Sequence, residues 1–197
     1  MNNNFEAMPR GWAKTTFGNI ADYINGRCFK KSEWTNTGLP IIRIENLNDP
    51  KAEFNYTNKN FDKKYLIKKG DLLFSWSASL GVYIWEGGDS WLNQHIFRVV
   101  PYGINKRYLL YCLDHHINDL IQKTHGQGMV HITKSTFEKH EILIPPLNEQ
   151  KRIVSKIEKL YSELNSGLKK LEKAKNKLKI FRLSLIKFSF EGKLTRK

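Results

Sequence analysis

Pro145-Pro146-Leu147-Asn148-Glu149 divides the chain into two parts of different composition. All five tryptophans, all six prolines and 11 of the 13 glycines lie before residue 149. Consecutive prolines cannot continue a helix, whereas Asn148 is a favourable N-cap and Glu149 suits the first helical turn. The composition predicts a globular domain over residues 1–147 and one long helix over residues 148–190. Gly192 is a favourable helix stop, so residues 191–197 are expected to form a tail.

The predicted helix has apolar or small residues at alternating intervals of four and three. This alternation is typical of a coiled-coil seam. A rod of about 60 Å cannot bury such a seam against itself, so the pattern predicts pairing with another helix. The residues of this heptad seam are Ile153, Ile157, Leu160, Leu164, Gly167, Leu171, Ala174, Leu178, Phe181 and Leu185, followed by Phe188.

The order of residue sizes along the seam favours an antiparallel pair. Gly167 and Ala174 lie at the centre of the rod, while Phe181 and Phe188 lie near its end. If two copies cross near residues 170–171, Gly167 of one helix approaches Ala174 of the other and the backbones come close. The alternative is that Gly167 is only a mild defect, which costs about 1 kcal/mol relative to alanine.

The chain is strongly basic, with 33 Lys and Arg, 19 Asp and Glu and a formal net charge of +14. Residues 149–197 hold 15 of the basic and 5 of the acidic residues, a net of +10. Such an excess favours an anionic partner, with nucleic acid as the first expectation. The lysine-rich face of the helix is either a solvated surface or a contact for phosphates or an acidic protein.

Several other classes of protein are disfavoured by composition. The chain is 40% hydrophobic, which is enough for a packed core and excludes global disorder. No apolar run approaches the roughly 18–20 residues that cross a bilayer, and the first residues do not resemble a secretory signal. Cys28 and Cys112 are too few for a disulfide framework. We therefore expect a cytoplasmic protein with no membrane partner.

The globular domain alternates short apolar segments with turn signals. Strands are predicted at residues 40–44, 72–76, 82–85, 95–100 and 141–144, and helical spacing is found over residues 105–122. The fold class expected is therefore α+β, a strand-rich globular domain followed by one long C-terminal coiled-coil helix.

No catalytic or metal-binding motif is evident in the sequence. A P-loop, G-x-G-x-x-G, H-E-x-x-H and paired C-x-x-C are all missing. His115 and His116 are adjacent, so on a helix they point to different faces. We therefore expect no enzyme activity, no catalytic residue and no metal in this chain.

Several loops of the globular domain carry side chains of the kinds that contact DNA. Cations and hydroxyls bind phosphates, and Asn or Gln amides suit the edge of adenine. The alternative for each loop is an ordinary polar surface, and for Trp76 a place in the core. Their number favours base recognition from loops on a rigid scaffold. The candidate DNA-binding residues are Arg27, Lys30, Lys31, Trp76, Ser77, Ser79, Asn93, Gln94, His95, Gln127, His131 and Lys134.

The segment around the prolines resembles a known family. Residues 145–158, Pro-Pro-Leu-Asn-Glu-Gln-Lys-Arg-Ile-Val-Ser-Lys-Ile-Glu, are similar to the P-P-L-x-E-Q-x-x-I-V-x-x-I-E segment of type I restriction–modification specificity subunits. Residues 188–195 are similar to that family's A-F-x-G-K-L ending. Individually weaker matches are Pro9-x-Gly11-Trp12, Pro40-Ile41-Ile42-Arg43, Lys69-Gly70-Asp71-Leu72-Leu73 and Asn93-Gln94, so the resemblance covers nearly the whole chain.

The resemblance implies a non-catalytic target recognition domain joined to a conserved helix, with two such helices pairing antiparallel. Typical subunits of the family carry two recognition domains and two helices, whereas this chain has one of each. Two copies are therefore expected to form a homodimer that recognises an interrupted palindrome in double-stranded DNA. The implied partners are a methyltransferase subunit that uses S-adenosylmethionine and, in a full system, a restriction subunit that uses ATP. No cofactor is expected in this chain itself.

Two other functions are compatible with the residues alone. A free-standing homodimeric DNA-binding protein would bind specific sequences without a methyltransferase. An interaction protein with a basic coil would bind DNA with little dependence on sequence, through phosphate contacts alone.

Overall fold

The computed structural model describes residues 9–49, 51–122 and 133–194 of the 197-residue chain. The chain forms two compact units, Met1–Lys151 and Arg152–Lys197. Within the described ranges no helix is both long enough and apolar enough to cross a membrane.

The elements follow one another as short strands and helices before one long helix. In chain order they are β1 (Ala13–Thr16), α1 (Phe17–Ile20), β2 (Ala21–Asn25), β3 (Leu39–Ile42), α2 (Ile44–Asn48), β4 (Asn55–Thr57), β5 (Leu66–Ile67), β6 (Leu72–Ser75), β7 (Gly81–Ile84), β8 (Ser90–Leu92), β9 (Ile96–Pro101), α3 (Lys106–Gln122), α4 (Lys134–Glu138), β10 (Glu141–Ile144) and α5 (Leu147–Phe190). Two 3₁₀ turns, Lys31–Glu33 and Lys63–Tyr65, lie between strands.

The described strands form three sheets. A four-stranded antiparallel sheet has the order β2-β9-β6-β7, and a second four-stranded sheet has the order β4-β3-β8-β5. In the second sheet β3 and β8 run parallel, while its other pairs are antiparallel. β1 and β10 form a separate antiparallel pair. The predicted α+β class, strand-rich and followed by a long helix, is confirmed.

An aromatic core lies beneath the β2-β9-β6-β7 sheet and includes residues of α3. Phe137 contacts several rings of this core, among them Phe17, Tyr23 and Phe74, whose ring centroids lie 5.1, 4.6 and 4.9 Å from that of Phe137. Leu109 and other α3 residues belong to the same buried cluster. Stacked and edge-on rings of this kind fix strand positions more tightly than aliphatic contacts of equal area, because the pairs have preferred geometries.

Several predicted boundaries differ from the structure by one or two residues, and two of these differences have a hydrogen-bond explanation. The strand expected over residues 40–44 ends at Ile42, because Asn46 accepts the Arg43 amide proton at 3.0 Å and starts α2. The long helix begins at Leu147, since the amides of Glu149 and Gln150 both donate to the Pro146 carbonyl. Asn148 therefore lies inside the first turn, and its expected role as N-cap is wrong.

The long helix α5 leaves its seam open to solvent along most of its length. Ile153 and Ile157 are partly buried, but Leu160, Leu164, Leu171, Leu178 and Phe181 are each 50–68% exposed. Ala174 and Leu185 are also exposed, and Gly167 is partly exposed. At the C-terminal end Gly192 has a φ of +68°, and the Lys193 amide donates to the Phe188 carbonyl at 3.0 Å. This left-handed glycine is the stop expected from the sequence.

Candidate nucleic-acid interface

Strand topology brings three of the predicted loops to one edge of the β2-β9-β6-β7 sheet. β2 and β6 both run antiparallel to β9 and flank it, with Asn25 opposite Phe97 and Ser75 opposite Ile96. The carboxyl ends of β2 and β6 therefore meet the start of β9. The segments that follow β2, follow β6 and precede β9 carry Arg27, Trp76, Ser77, Asn93, Gln94 and His95.

Backbone hydrogen bonds hold these segments together. The Arg27 amide donates to the Leu92 carbonyl at 2.8 Å, and the Gln94 amide donates to the Arg27 carbonyl at 3.0 Å. The Trp76 amide donates to the His95 carbonyl at 3.3 Å. We call this cluster the sheet-edge site, defined by residues 25–27, 76–77 and 93–95. Because backbone hydrogen bonds join the three segments, the backbone positions from which the side chains extend are fixed relative to one another.

Gly26 is required for the close approach of two of these segments. A Cβ at Gly26 would lie 2.1 Å from the Asn93 carbonyl oxygen and 2.4 Å from the Leu92 carbonyl oxygen. Both neighbours are backbone atoms, so they cannot move aside as a flexible side chain would. Glycine at this position lets residues 26 and 93 pack directly against each other.

The Arg27 side chain binds other residues of the same domain. Its guanidinium donates to both carboxylate oxygens of Glu33, at 2.8 and 2.7 Å, and lies 4.1 Å from the centre of the Phe61 ring. The Lys30 amide also donates to Glu33, at 2.8 Å. The hydrogen bonds from Arg27 and then from Lys30 lower the pKa of the Glu33 carboxyl from 4.5 to about 2. Arg27 thus fixes the loop that follows it, and a direct DNA contact from its guanidinium stays a prediction.

Lys30 and Lys31 lie on the loop that Glu33 anchors, and both are exposed. Since the Glu33 carboxylate accepts hydrogen bonds from the guanidinium of Arg27 and from the backbone of Lys30, the position of these two lysines depends on one ion pair. The exposure of both lysines suits contacts with phosphates.

Trp76 belongs partly to the core and partly to the sheet-edge site. Its ring lies 5.6 Å from Phe97 in a stacked arrangement, and its indole N–H donates to the Asn25 side-chain oxygen at 3.2 Å. The His95 ring lies 5.7 Å from Trp76, and His95 Nε2 is 3.1 Å from the amide nitrogen of Gln94. Trp76 therefore orders Asn25 and His95. Asn93, Gln94 and His95 are half-buried, and the Nδ1 atom of His95 is buried.

The serines after Trp76 form a tight turn. Ser77 is buried, Ser79 is exposed, and Ala78 between them has a φ of +60°. The Ser75 hydroxyl donates to the Ser79 carbonyl at 2.6 Å, and the Asn48 amide donates to the Ser79 hydroxyl at 3.3 Å. Of the two predicted serines, only Ser79 presents its side chain at the surface.

A groove of about 460 Å³ adjoins the sheet-edge site. It includes the predicted Lys134, which is exposed and pairs with Glu138 at 3.5 Å. The groove is also lined by polar residues that the sequence analysis did not identify, among them Lys64 and Asn25. The Lys63-Lys64-Tyr65 run could have indicated Lys64, but nothing in the sequence places that run beside Gly26. The predicted Gln127 and His131 lie outside the described residues. The groove is lined by Asp22, Tyr23, Ile24, Asn25, Gly26, Lys64, Tyr65 and Lys134.

Comparison with known proteins assigns a family to this arrangement. The family model described as the type I restriction modification DNA specificity domain matches residues 9–174. The chain belongs to this family.

Individual relatives agree with that assignment. The EcoBI specificity subunit of a type I restriction enzyme from Escherichia coli is 25% identical over 198 residues, which cover 98% of this chain and 42% of the relative. A chain from a structure of a type I R-M system superposes with a TM-score of 0.76 at 20% identity, covering 98% of this chain and 49% of that one. The HsdS subunit from Thermoanaerobacter tengcongensis gives a TM-score of 0.68 at 21% identity, with 96% and 47% covered.

The chain spans less than half of the length of each of these relatives. The family model describes a DNA specificity domain and the relative from Escherichia coli is named a specificity subunit, so the expectation that the chain belongs to a specificity family rather than to a family of catalytic domains is confirmed. The structural similarity shows the fold, including the strand-rich domain and the long helix.

The Pro-Pro-Leu/Glu-Gln motif of the specificity family has a visible structural role here. Gln150 is buried, its side-chain oxygen accepts the Asn105 amide proton at 2.9 Å, and its amide donates to the Pro145 carbonyl at 2.9 Å. Asn105 in turn caps α3, because its side-chain oxygen accepts the Tyr108 amide proton at 3.0 Å. The first turn of α5 is therefore hydrogen-bonded to the start of α3 within the globular unit.

Replacing Glu33 by glutamine should make the stability of this specificity domain less dependent on pH. Because the folded carboxyl has a lowered pKa, its contribution is present above the ordinary value of 4.5 and is lost as the pH falls towards about 2. Glu33→Gln should therefore unfold at a lower temperature than wild type at pH 7, with the difference shrinking as the pH falls through that window. Thermal unfolding followed by circular dichroism at several pH values measures this.

Glu45→Gln is the matched control, since Glu45 pairs with Arg43 at 2.8 Å but both side chains are 40–50% exposed. An exposed pair of this kind contributes little, so the control should unfold close to wild type. A Glu33→Gln domain that is as stable as wild type at pH 7 would contradict the anchoring role of the Arg27–Glu33 pair.

Proposed function

We propose that this chain is a DNA specificity subunit that acts as a homodimer in a type I restriction–modification system. The observation that carries the proposal is the exposed seam of α5 on a chain that spans 42–49% of its relatives. Two copies supply two recognition domains and two helices, which is the number that the family resemblance leads us to expect in a full subunit.

Pairing through the seam follows from the exposure of its side chains. Five large apolar side chains of the seam, between Leu160 and Phe181, are at least half exposed, and full burial of such a side chain contributes on the order of 1.5–3 kcal/mol. A second copy of the same helix offers a seam of the same composition. Apart from its own helix backbone and chain neighbours, Gly167 has no atom within 4 Å of the position of its missing Cβ, so the helix surface is open there for a close crossing with Ala174 of the second copy. We propose an antiparallel pair on this basis.

The sheet-edge site and the adjoining groove are the proposed DNA-reading surface. The half-buried Asn93, Gln94 and His95 would contact base edges in the major groove, and the exposed Lys30, Lys31 and Lys134 would contact phosphates. Two identical domains related by a two-fold axis would recognise two inverted half-sites. The paired helices would set the gap between the half-sites, so the site is an interrupted palindrome.

The catalytic steps would belong to partner subunits. The dimer would recruit a methyltransferase subunit that transfers a methyl group from S-adenosylmethionine to adenine. In a full system it would also recruit a restriction subunit that uses ATP. This division of roles is supported by the names of the relatives, which are specificity subunits of restriction enzymes.

Introducing a charge at Leu171 should separate the two copies. Leu171 is 68% exposed in the single chain and lies beside the proposed crossing point, so Leu171→Glu would bring two carboxylates together in an apolar seam. We expect self-association to weaken by at least about 3 kcal/mol, roughly a hundredfold in dissociation constant. Sedimentation equilibrium measures the dissociation constant, and thermal unfolding checks that the globular domain is unchanged.

Asn176→Glu is the matched control, because it adds the same charge at an exposed position outside the heptad seam. It should leave the dimer intact. A Leu171→Glu chain that still forms the dimer would refute the seam proposed here.

Substitutions at Gln94 and Lys30 should have different effects on DNA binding. Gln94→Ala removes a candidate base contact and should relax one position of each half-site by about 1–3 kcal/mol. Lys30→Ala removes a phosphate contact and should weaken binding to all sequences similarly. Binding of each variant to a library of single-base variants of the recognised site, at fixed salt, separates the two effects. A changed preference in Lys30→Ala would show that the roles are assigned wrongly.

A further inference from the structure

Three potential metal ligands of the globular domain, none of them a residue of the sheet-edge site, lie close together. His116 and Asp119 lie one turn apart on α3, and His140 lies between α4 and β10. His116 Nδ1 is 3.1 Å from His140 Nε2 and 3.5 Å from the Asp119 carboxylate oxygen. All three ligand atoms lie within 4.8 Å of one another.

The two imidazoles are held in place by backbone and ring contacts. The His140 amide donates to the Phe137 carbonyl at 3.0 Å, and the His140 carbonyl accepts the Phe17 amide proton at 3.2 Å. The Phe17 ring centroid lies 5.7 Å from each of the two imidazole centroids. His140 is 7% exposed, whereas the Asp119 side chain is 58% exposed. The two imidazoles therefore form the more buried side of the cluster, and the Asp119 carboxylate forms the side that is exposed to solvent.

The spacing of these atoms fits a tetrahedral metal ion. Two ligands about 2.05 Å from zinc at a tetrahedral angle lie about 3.3 Å apart. The observed separations of 3.1 and 3.5 Å lie on either side of that value. Zinc could thus replace the imidazole–imidazole hydrogen bond, with the His140 and Asp119 ligand atoms, which lie within 4.8 Å of each other, moving towards the same separation.

We propose that His116, Asp119 and His140 bind one zinc ion per chain. Two imidazoles and one carboxylate suit zinc and disfavour magnesium and calcium, which prefer oxygen ligands. Three protein ligands leave the fourth position to water, which can enter on the exposed side of Asp119. The bound ion links α3 to the segment before β10 and so stabilises the domain.

The test uses the purified full-length chain, freed of metal with a chelator and dialysed against zinc. We expect one zinc per chain, a higher midpoint of thermal unfolding with zinc than without it, and a tetrahedral absorption spectrum when cobalt replaces zinc. Asp119→Asn keeps the size of the side chain but removes the charged ligand, and should weaken zinc binding at least about tenfold.

Two controls separate this site from zinc bound elsewhere. Asp114→Asn changes an exposed aspartate on the same helix, and His115→Ala removes the exposed imidazole next to His116; both should bind zinc as wild type does. Asp119→Asn leaves the buried His140 unchanged, so its folding can be compared directly with that of Asp114→Asn. Wild type that binds no zinc, or Asp119→Asn that binds it as tightly as wild type, would overturn the proposal and leave the two histidines as a hydrogen-bonded pair only.

Discussion

The exposed apolar seam of α5 is the constraint on which the account of this protein depends. From Leu160 onwards the leucines of a 44-residue helix remain at least half exposed through Leu178, and residues 149–197 carry a net charge of +10 of the chain's +14. Exposure of such an apolar stripe to water is unfavourable. A single long helix cannot bury its own stripe, because all of the stripe lies on one face of the helix. A partner helix relieves that cost, and a second copy of the chain carries one with the same pattern.

In the globular domain, strand pairing and local contacts fix the positions of polar loops that remain partly exposed to solvent. Antiparallel pairing of β2 and β6 with β9 places three loops at one edge of the sheet. Gly26 allows two of them to touch, and the Arg27–Glu33 pair fixes the lysines that follow. Side chains fixed in this way lose little conformational freedom on binding DNA, so more of their contact energy remains as affinity and specificity.

The sequence was most informative where the pattern is periodic and local. The spacing of seven along residues 153–188 predicts the helix, and the glycine at 192 predicts its end. Side-chain partners were not predictable, because they depend on tertiary contacts. Arg27 is a residue of the type that contacts DNA, yet its guanidinium is hydrogen-bonded to Glu33. His116 and His140 are 24 positions apart in the sequence, yet their ring nitrogens lie 3.1 Å apart. Asn148 looked like the N-cap, but the Pro146 carbonyl starts the helix.

The adenine methylation pattern of DNA from cells that express a cognate methyltransferase subunit, with and without this chain, tests the central claim most directly. The account predicts a new methylated motif that appears only with the chain and consists of two inverted half-sites separated by a fixed gap. An asymmetric motif would contradict the homodimer, because two identical domains related by a two-fold axis read inverted half-sites. Unchanged methylation, together with specific DNA binding by the purified chain, would contradict the specificity role and favour a free-standing DNA-binding dimer.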